Sequence, residues 1–168
     1  MNDRPRRLVL FDIDGTLLSA GGVSARSLAT ALRAHFGTEG PREGYDYSGK
    51  TDPLIVRELM RGAGFAEPII EARLAETLRS YQRILAAALR PEDVRAKPGV
   101  VAFVEALATD AQVTLGLLTG NLEPCARLKI EPLGLNGRFL LGAYGSYHED
   151  RRRLPPVAQE RALGAVLG

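Results

Sequence analysis

What this sequence lacks narrows its function before any motif is read. It holds one cysteine, Cys125, so no disulfide can close within the chain, which fits a reducing, cytoplasmic setting. No apolar run approaches the roughly 18 residues that a spanning helix needs, so no membrane role is expected. The N-terminal stretch MNDRPRRLVLFDIDG meets two aspartates too soon to be a secretory signal. Excess charge of one sign is also missing. The net charge of +2 is too small to argue for nucleic acid. The basic clusters Arg4/Arg6/Arg7 and Arg151/Arg152/Arg153 lack interleaved aromatics and read as solvated surface. His35 and His148 have no partners at metal-ligand spacing, and Cys125 has no histidine relay and reads as a packing residue. Lysine is scarce: of 22 basic residues, only Lys50, Lys97 and Lys129 are not arginine. A chain that uses arginine almost everywhere nominates those three positions as places where a compact ammonium is required.

What is present is ordinary globular material, 45% hydrophobic and 25% charged, in a length suited to one domain or to a small domain with an insertion. RLVLF at 7–11 is a short apolar run ending at Asp12, as a buried parallel strand would. Residues 24 to 90 read as helical. SARSLATALRAHFG closes on Gly37, DPLIVRELMRGAG opens with Asp52 as N-cap and Pro53 at the first position, and EPIIEARLAETLRSYQRILAAALR follows. After KPG at 97–99 come a helix, VVAFVEALAT, and a strand, QVTLGLLTGN. LEPCARLKIEPLGL reads as a helix, irregular at Pro132, RFLLGAYGS as a third strand, and LPPVAQERALGAVL as a last helix. The order predicts an α/β fold, a parallel sheet with an all-helical insert after its first strand.

Two stretches carry chemistry. The first is FDIDGTLL at 11–18. Asp-Gly between apolar runs is a hairpin signal, but LLSAGG does not alternate like a return strand, and a simple turn has no need of Asp12. Two carboxylates at i and i+2 on a strand's carboxyl end point into the crevice where open α/β sheets bind ligands. There Asp12 could attack an electrophile and help hold a divalent cation, while Asp14 transfers protons. Gly15 would let backbone N–H groups approach an anion. The second stretch, GYDYSGKT at 44–51, matches the phosphate-loop pattern G-x-x-x-x-G-K-[ST]. A true phosphate loop needs a buried strand before Gly44 and a helix opening at Lys50. Upstream stands HFGTEGPRE, and the helix begins only at Asp52-Pro53, so the context fails.

FDIDGTLL resembles the first motif of the haloacid dehalogenase superfamily, D-x-D-G-T-[LV] after an apolar strand. LLTGN supplies Thr119 at the place of the second motif, and Lys129 stands as the third. The helical insert resembles the cap of the phosphoglycolate phosphatase-like branch, and GKTD resembles a cap loop facing the core site. The resemblance implies a Rossmann-like three-layer core at 1–19 and 94–168 and a helical cap at 20–93. It implies Mg²⁺-dependent hydrolysis of a small phosphorylated metabolite. Asp12 would be the nucleophile and a metal ligand. Asp14 would be the acid–base and would meet the metal through its backbone carbonyl. Thr119, Gly120 and Asn121 would hold the phosphoryl oxygens, and Lys129 would neutralise Asp12 and the transferring group. Gly49, Lys50 and Thr51 would contact the substrate from the cap, with Lys50 on its phosphate or carboxylate. Asp14 also favours phosphate ester chemistry over carbon–halogen cleavage, because the dehalogenases lack that second aspartate. The family's fourth motif, an acidic loop after a further strand, is expected beyond LPPVAQERALGAVL, but the sequence stops at Gly168. The expectation is therefore a core without its last strands, with the Asp12 strand at an edge that self-association could cover. Two other classes stand beside the enzyme: a truncated, catalytically impaired relative that acts by binding, and a phosphate-loop protein using Lys50.

Overall fold

The computed structural model describes residues 7–167. Of the basic clusters, Arg4 and Arg6 lie outside the described residues, and Arg7 pairs with Asp110 at 2.9 Å on the surface. A three-stranded parallel sheet in the order β1-β4-β5 forms the centre, from β1 Arg7–Phe11, β4 Val113–Thr119 and β5 Leu141–Tyr144. Arg7 pairs with Val113 and Phe11 with Leu117, while Gly116 pairs with Leu141 and Thr119 with Tyr144. Among the described residues β1 is an edge strand, as the sequence reading expected.

The strand sequences explain the layering. Side chains alternate between the two faces of a strand. Phe11, Leu115 and Leu117 therefore turn to one side, into the main apolar cluster with Val104, Cys125, Ile130 and Phe139. Leu10, Leu118 and Ala143 turn to the other side, against Leu154 and Ala158. Helices α4 Val100–Ala108 and α5 Glu123–Ile130 cover the first face, and α6 Leu154–Leu167 covers the second. The strands approach closely at Gly116, where a Cβ would stand 2.6 Å from Leu141 Cδ1 and 2.9 Å from Leu10 Cδ2.

Between the first and second core strands runs the helical insert: α1 Val23–Phe36, α2 Asp52–Gly62 and α3 Glu67–Ala88. Gly37 ends α1 with φ 76°, as expected of its position. The N-cap of α2 is Thr51 and not Asp52: the Thr51 hydroxyl accepts the Leu54 amide at 3.3 Å, and Asp52 is the first helical residue. As anticipated at Pro132, α5 gives way to a 3-10 turn at Glu131–Leu133. A ribbon invisible to periodicity joins the two ends of the insert, β2 Leu18–Ser19 antiparallel to β3 Arg95–Ala96. Two-residue strands are too short to show alternation. The insert shares the main apolar cluster with the sheet, through Leu28, Leu32, Ile55, Leu59 and Tyr81. No helix of the described residues is long and apolar enough to cross a membrane.

Phe139 is 1% exposed and packs edge-on to Phe11 at 5.7 Å, whereas Phe103 is 55% exposed and packs on the same ring at 6.1 Å. Truncating Phe139 to alanine is expected to remove roughly 3–5 kcal/mol of stability, and Phe103→Ala less than about 1 kcal/mol. Urea denaturation of the two variants checks the contrast.

Candidate active site

The chain leaves β1 at Phe11 and turns at once. Fully buried Ile13 anchors the turn, its carbonyl accepting the amides of Thr16, Leu17 and Leu18. Gly15 takes φ 81° and donates its amide to Leu18 at 2.8 Å. A side chain there would meet nothing within 4 Å, so conformation and not crowding calls for glycine. The hairpin tendency of Asp-Gly is thus real, confined to one tight turn that presents Asp12 and Asp14 to a single cleft of about 570 Å³.

The two carboxylates are held differently. Asp12 Oδ1 accepts the Ile13 amide at 2.8 Å, and its Oδ2 forms an ion pair with Arg151 Nη2 at 2.7 Å. Asp14 belongs to Lys129, whose ammonium lies 2.8 Å from Oδ2 and 3.1 Å from Oδ1. The reading that Lys129 neutralises Asp12 therefore needs correcting. Because the strand ends before Asp12, the i and i+2 side chains are no longer parallel, and Asp14 turns toward α5 while Asp12 faces the loop carrying Arg151.

Lys129 is 2% exposed, and its third contact is Asn121 Oδ1 at 2.6 Å. Side chains on a helix lean toward its N-terminus, so Lys129 in α5 reaches back to the loop after β4. There Asn121 Nδ2 donates to Thr119 Oγ1 and to Asp14 Oδ2, each at 2.8 Å. Thr119, Gly120, Asn121 and Lys129 line the same cleft as the two aspartates. Gly120 is needed for a close approach: a Cβ there would collide with the backbone carbonyl of Lys50.

The insert supplies the remaining wall. Gly49 and Lys50 line the cleft, but the Lys50 ammonium is held by Glu58 of α2 at 2.6 Å, over the Tyr45 ring. Thr51 stands apart from the expected substrate contacts. It is fully buried, and besides capping α2 it donates its hydroxyl to the Glu149 carbonyl at 2.7 Å. Residues 37–51 contain no strand, so the phosphate-loop geometry is absent around Gly44 and Lys50.

Two functional-looking residues escaped the sequence reading. Arg151 sat inside a basic run that read as solvated. Asp52 was read only as a helix cap, yet its amide donates to Gly120 and its carboxylate accepts the Leu122 amide, both at 2.8 Å. Burial pushes the Asp52 carboxyl up to about 6 against the opposing pull of Lys129 and the Leu122 amide. Away from the cleft, His35 meets Ser80 at 2.8 Å, and His148 accepts the Asp150 amide at 2.8 Å. Cys125 is buried, its thiol pushed up to about 12 by that burial, consistent with packing.

Among the described residues no group of three or more His, Cys, Asp or Glu is arranged to hold a metal. Mg²⁺ is commonly bound by one or two carboxylates, with phosphate and water completing its shell. The hard oxygen donors of Asp12 and Asp14, side by side on one loop, fit that need.

With this geometry in view, comparison with known families decides the affiliation: the model of the haloacid dehalogenase-like hydrolases matches residues 9–166. The chain belongs to that family. Comparison with curated proteins gives no match. Among solved structures, CbbY from Rhodobacter sphaeroides in complex with phosphate is 20% identical with a TM-score of 0.65, over 89% of this chain and 70% of that one. A predicted phosphatase from Clostridium acetobutylicum is 20% identical with a TM-score of 0.59, over 84% and 62%. A predicted phosphoglycolate phosphatase from Haemophilus somnus is 18% identical with a TM-score of 0.55, over 84% and 63%. The haloacid dehalogenase-like chain thus spans less than two thirds of the latter two proteins and 70% of the first. At such identities these neighbours establish the shared fold.

The raised Asp52 carboxyl has a signed consequence. Its folded value of about 6 exceeds the ordinary 3.8, so folding favours the protonated form and stability falls as pH rises from about 4 to 6. Asp52→Asn keeps an acceptor for Leu122 and removes the titration. Relative to wild type, the variant should gain up to roughly 3 kcal/mol between pH 4 and pH 7.5. Denaturant melts of both proteins at the two pH values test this.

Proposed function

We propose that the chain hydrolyses a small phosphate monoester in a Mg²⁺-dependent reaction, through a phosphoryl group carried on Asp12. The observation that carries this reading is the convergence of Asp12, Asp14, Thr119, Asn121 and Lys129 on one cleft at the carboxyl ends of β1 and β4. Asp12, through one carboxylate oxygen, and Asp14, through its backbone carbonyl, would hold the metal. When bound, Mg²⁺ would draw charge from the phosphoryl oxygens and lower the repulsion between them and Asp12.

The other carboxylate oxygen of Asp12 attacks phosphorus, and the bond from phosphorus to the ester oxygen breaks. Asp14 gives a proton to the leaving alkoxide. It then takes one from the water that attacks the same phosphorus, which returns Asp12 and releases inorganic phosphate. Lys129 and Asn121 pin the Asp14 carboxyl, and the Thr119 hydroxyl, which already accepts from Asn121, keeps its proton for a phosphoryl oxygen. Such positioning and electrostatics supply most of the acceleration in phosphoryl transfer.

In this reading residues 20–93 form a cap over a core of 1–19 and 94–168, and the 47–50 loop meets the leaving group. The resemblance to phosphoglycolate phosphatases supports a small phosphorylated metabolite as the substrate. Lys50 would exchange Glu58 for the substrate's own anion.

Turnover of p-nitrophenyl phosphate with Mg²⁺ should fall roughly 10⁴-fold or more in Asp12→Asn, and a wild-type chain without Asp12-dependent turnover ends the proposal. Lys50→Ala should raise KM several-fold while kcat changes little, as loss of a binding contact does. Steady-state kinetics on a carboxylate-bearing phosphate ester separates the two parameters.

A further inference from the structure

Asn121 ties the reacting groups together. Its carboxamide donates to Asp14 Oδ2 and to Thr119 Oγ1, each at 2.8 Å, and accepts from the Lys129 ammonium at 2.6 Å. Three bonds so short to one carboxamide tolerate little movement of the backbone that carries it. One hold on that backbone comes from the end of β5, where the Gly145 amide donates to the Asn121 carbonyl at 2.9 Å. Two more come from a single residue of the helical insert. Asp52 is the first residue of α2, 8% exposed, and it lines the cleft. Its amide donates to the Gly120 carbonyl, and its Oδ2 accepts the Leu122 amide, both at 2.8 Å. Those are the backbone groups on either side of Asn121.

We propose that Asp52 is a positioning residue: it clamps the chain on both sides of Asn121, and so sets the carboxamide that orients Asp14, Thr119 and Lys129. Its effect on turnover rests on the phosphatase reading, and its effect on Asn121 does not. The start of a helix suits the task. The first N–H groups of a helix have no partner within it, so the Asp52 amide is free for the Gly120 carbonyl. Thr51 caps the helix, which leaves the Asp52 carboxylate free for Leu122. A donor and an acceptor offered by one residue match a C=O and an N–H two residues apart, as a partner strand would. Without the carboxylate, the amide bond to Gly120 would remain, but the buried Leu122 amide would lose its acceptor, a costly state that the loop relieves by moving. Asn121 would move with it. A shift on the order of 1 Å in such a group costs up to about a hundredfold in rate.

NMR of the metal-free chain, and steady-state kinetics on p-nitrophenyl phosphate with Mg²⁺, test the clamp on wild type, Asp52→Ala and Asp52→Asn. In Asp52→Ala the Asn121 Nδ2–H resonances should move toward those of a free carboxamide. Its kcat should fall roughly tenfold or more while KM stays within about threefold. Asp52→Asn keeps an acceptor for Leu122. It should hold the Nδ2–H resonances near their wild-type positions and restore kcat to within about threefold of wild type. Unchanged Asn121 resonances in Asp52→Ala overturn the proposal, and so does an Asp52→Asn chain that behaves like Asp52→Ala. A measurement on the wild-type chain needs no variant to fold. One opening of the clamp frees both amides, so hydrogen exchange should give Asp52 and Leu122 protection factors within about threefold of each other. A Leu122 amide that exchanges far faster than the Asp52 amide also overturns the proposal. Resonances that respond as expected in a chain without Asp12-dependent turnover would remove the phosphatase reading alone. Turnover in a chain whose Asn121 resonances ignore Asp52→Ala would remove this proposal alone.

Discussion

A buried ammonium constrains everything around it. Lys129 is 2% exposed, and a charge taken so far out of water is tolerable only with close, well-directed partners. Those partners come from distant parts of the chain: Asp14 from the turn after β1, and Asn121 from the turn after β4. Asp52 from the start of α2 adds a third negative influence, felt through space and strong enough that Lys129 opposes the burial-driven rise of the Asp52 carboxyl. The ammonium therefore joins three segments at one point. Removing it would leave Asp14 and Asn121 without the donor that orients them, which is why the geometry of the whole cleft traces back to this residue.

The second constraint is the seam between insert and sheet, where backbones approach more closely than side chains permit. A Cβ at Gly120 would collide with the Lys50 carbonyl, and one at Gly145 with the Gly120 carbonyl. The seam is closed by hydrogen bonds, not by apolar contact alone: Asp52 amide to Gly120, Leu122 amide to the Asp52 carboxylate, and Thr51 hydroxyl to Glu149. Arg57 of α2 adds an ion pair to Glu149 at 2.5 Å. The loop that resembles a nucleotide-binding motif thus uses its Gly-Lys-Thr to dock on the strand end. Gly49 leaves the wall open, the Lys50 backbone lies against Gly120, and Thr51 stitches helix to core.

Much of this was legible in the sequence, and the unread part has a common cause. Strand β1 with its two aspartates and the helices of the insert follow from local signals: periodicity, caps, and apolar runs ending in polar residues. Thr119 and Lys129 were nominated by the resemblance to the family's second and third motifs. The ribbon joining residues 18–19 to 95–96 left no such trace, because two residues cannot display an alternation. Nor did the pairings of Asp12 with Arg151 and Asp14 with Lys129. Those are choices among neighbours brought together by folding, and the sequence places both cations at plausible distances from both carboxylates. Asp52 was misread by one position: a Thr-Asp-Pro start offers two good caps, and only the packing shows that Thr51 caps the helix while Asp52 faces the core.

The unequal use of lysine and arginine acquires a physical meaning at the cleft. Of the three lysines, Lys50 and Lys129 line it, and Lys97 does not. Lys129 sits where three donors on a small tetrahedral head meet oxygens from two directions. A planar guanidinium would need a flatter and larger recess than a nearly inaccessible site provides. Arg151 occupies the opposite kind of position, partly exposed, with one strong partner and spare donors. An ammonium locked among fixed oxygens holds a carboxyl in place. A guanidinium at the rim of the same cleft pairs with the other carboxyl and leaves donors unspent. Arginine is the chain's default cation, so its presence at 151 is expected from composition; its pairing with Asp12 across the cleft is what the fold adds.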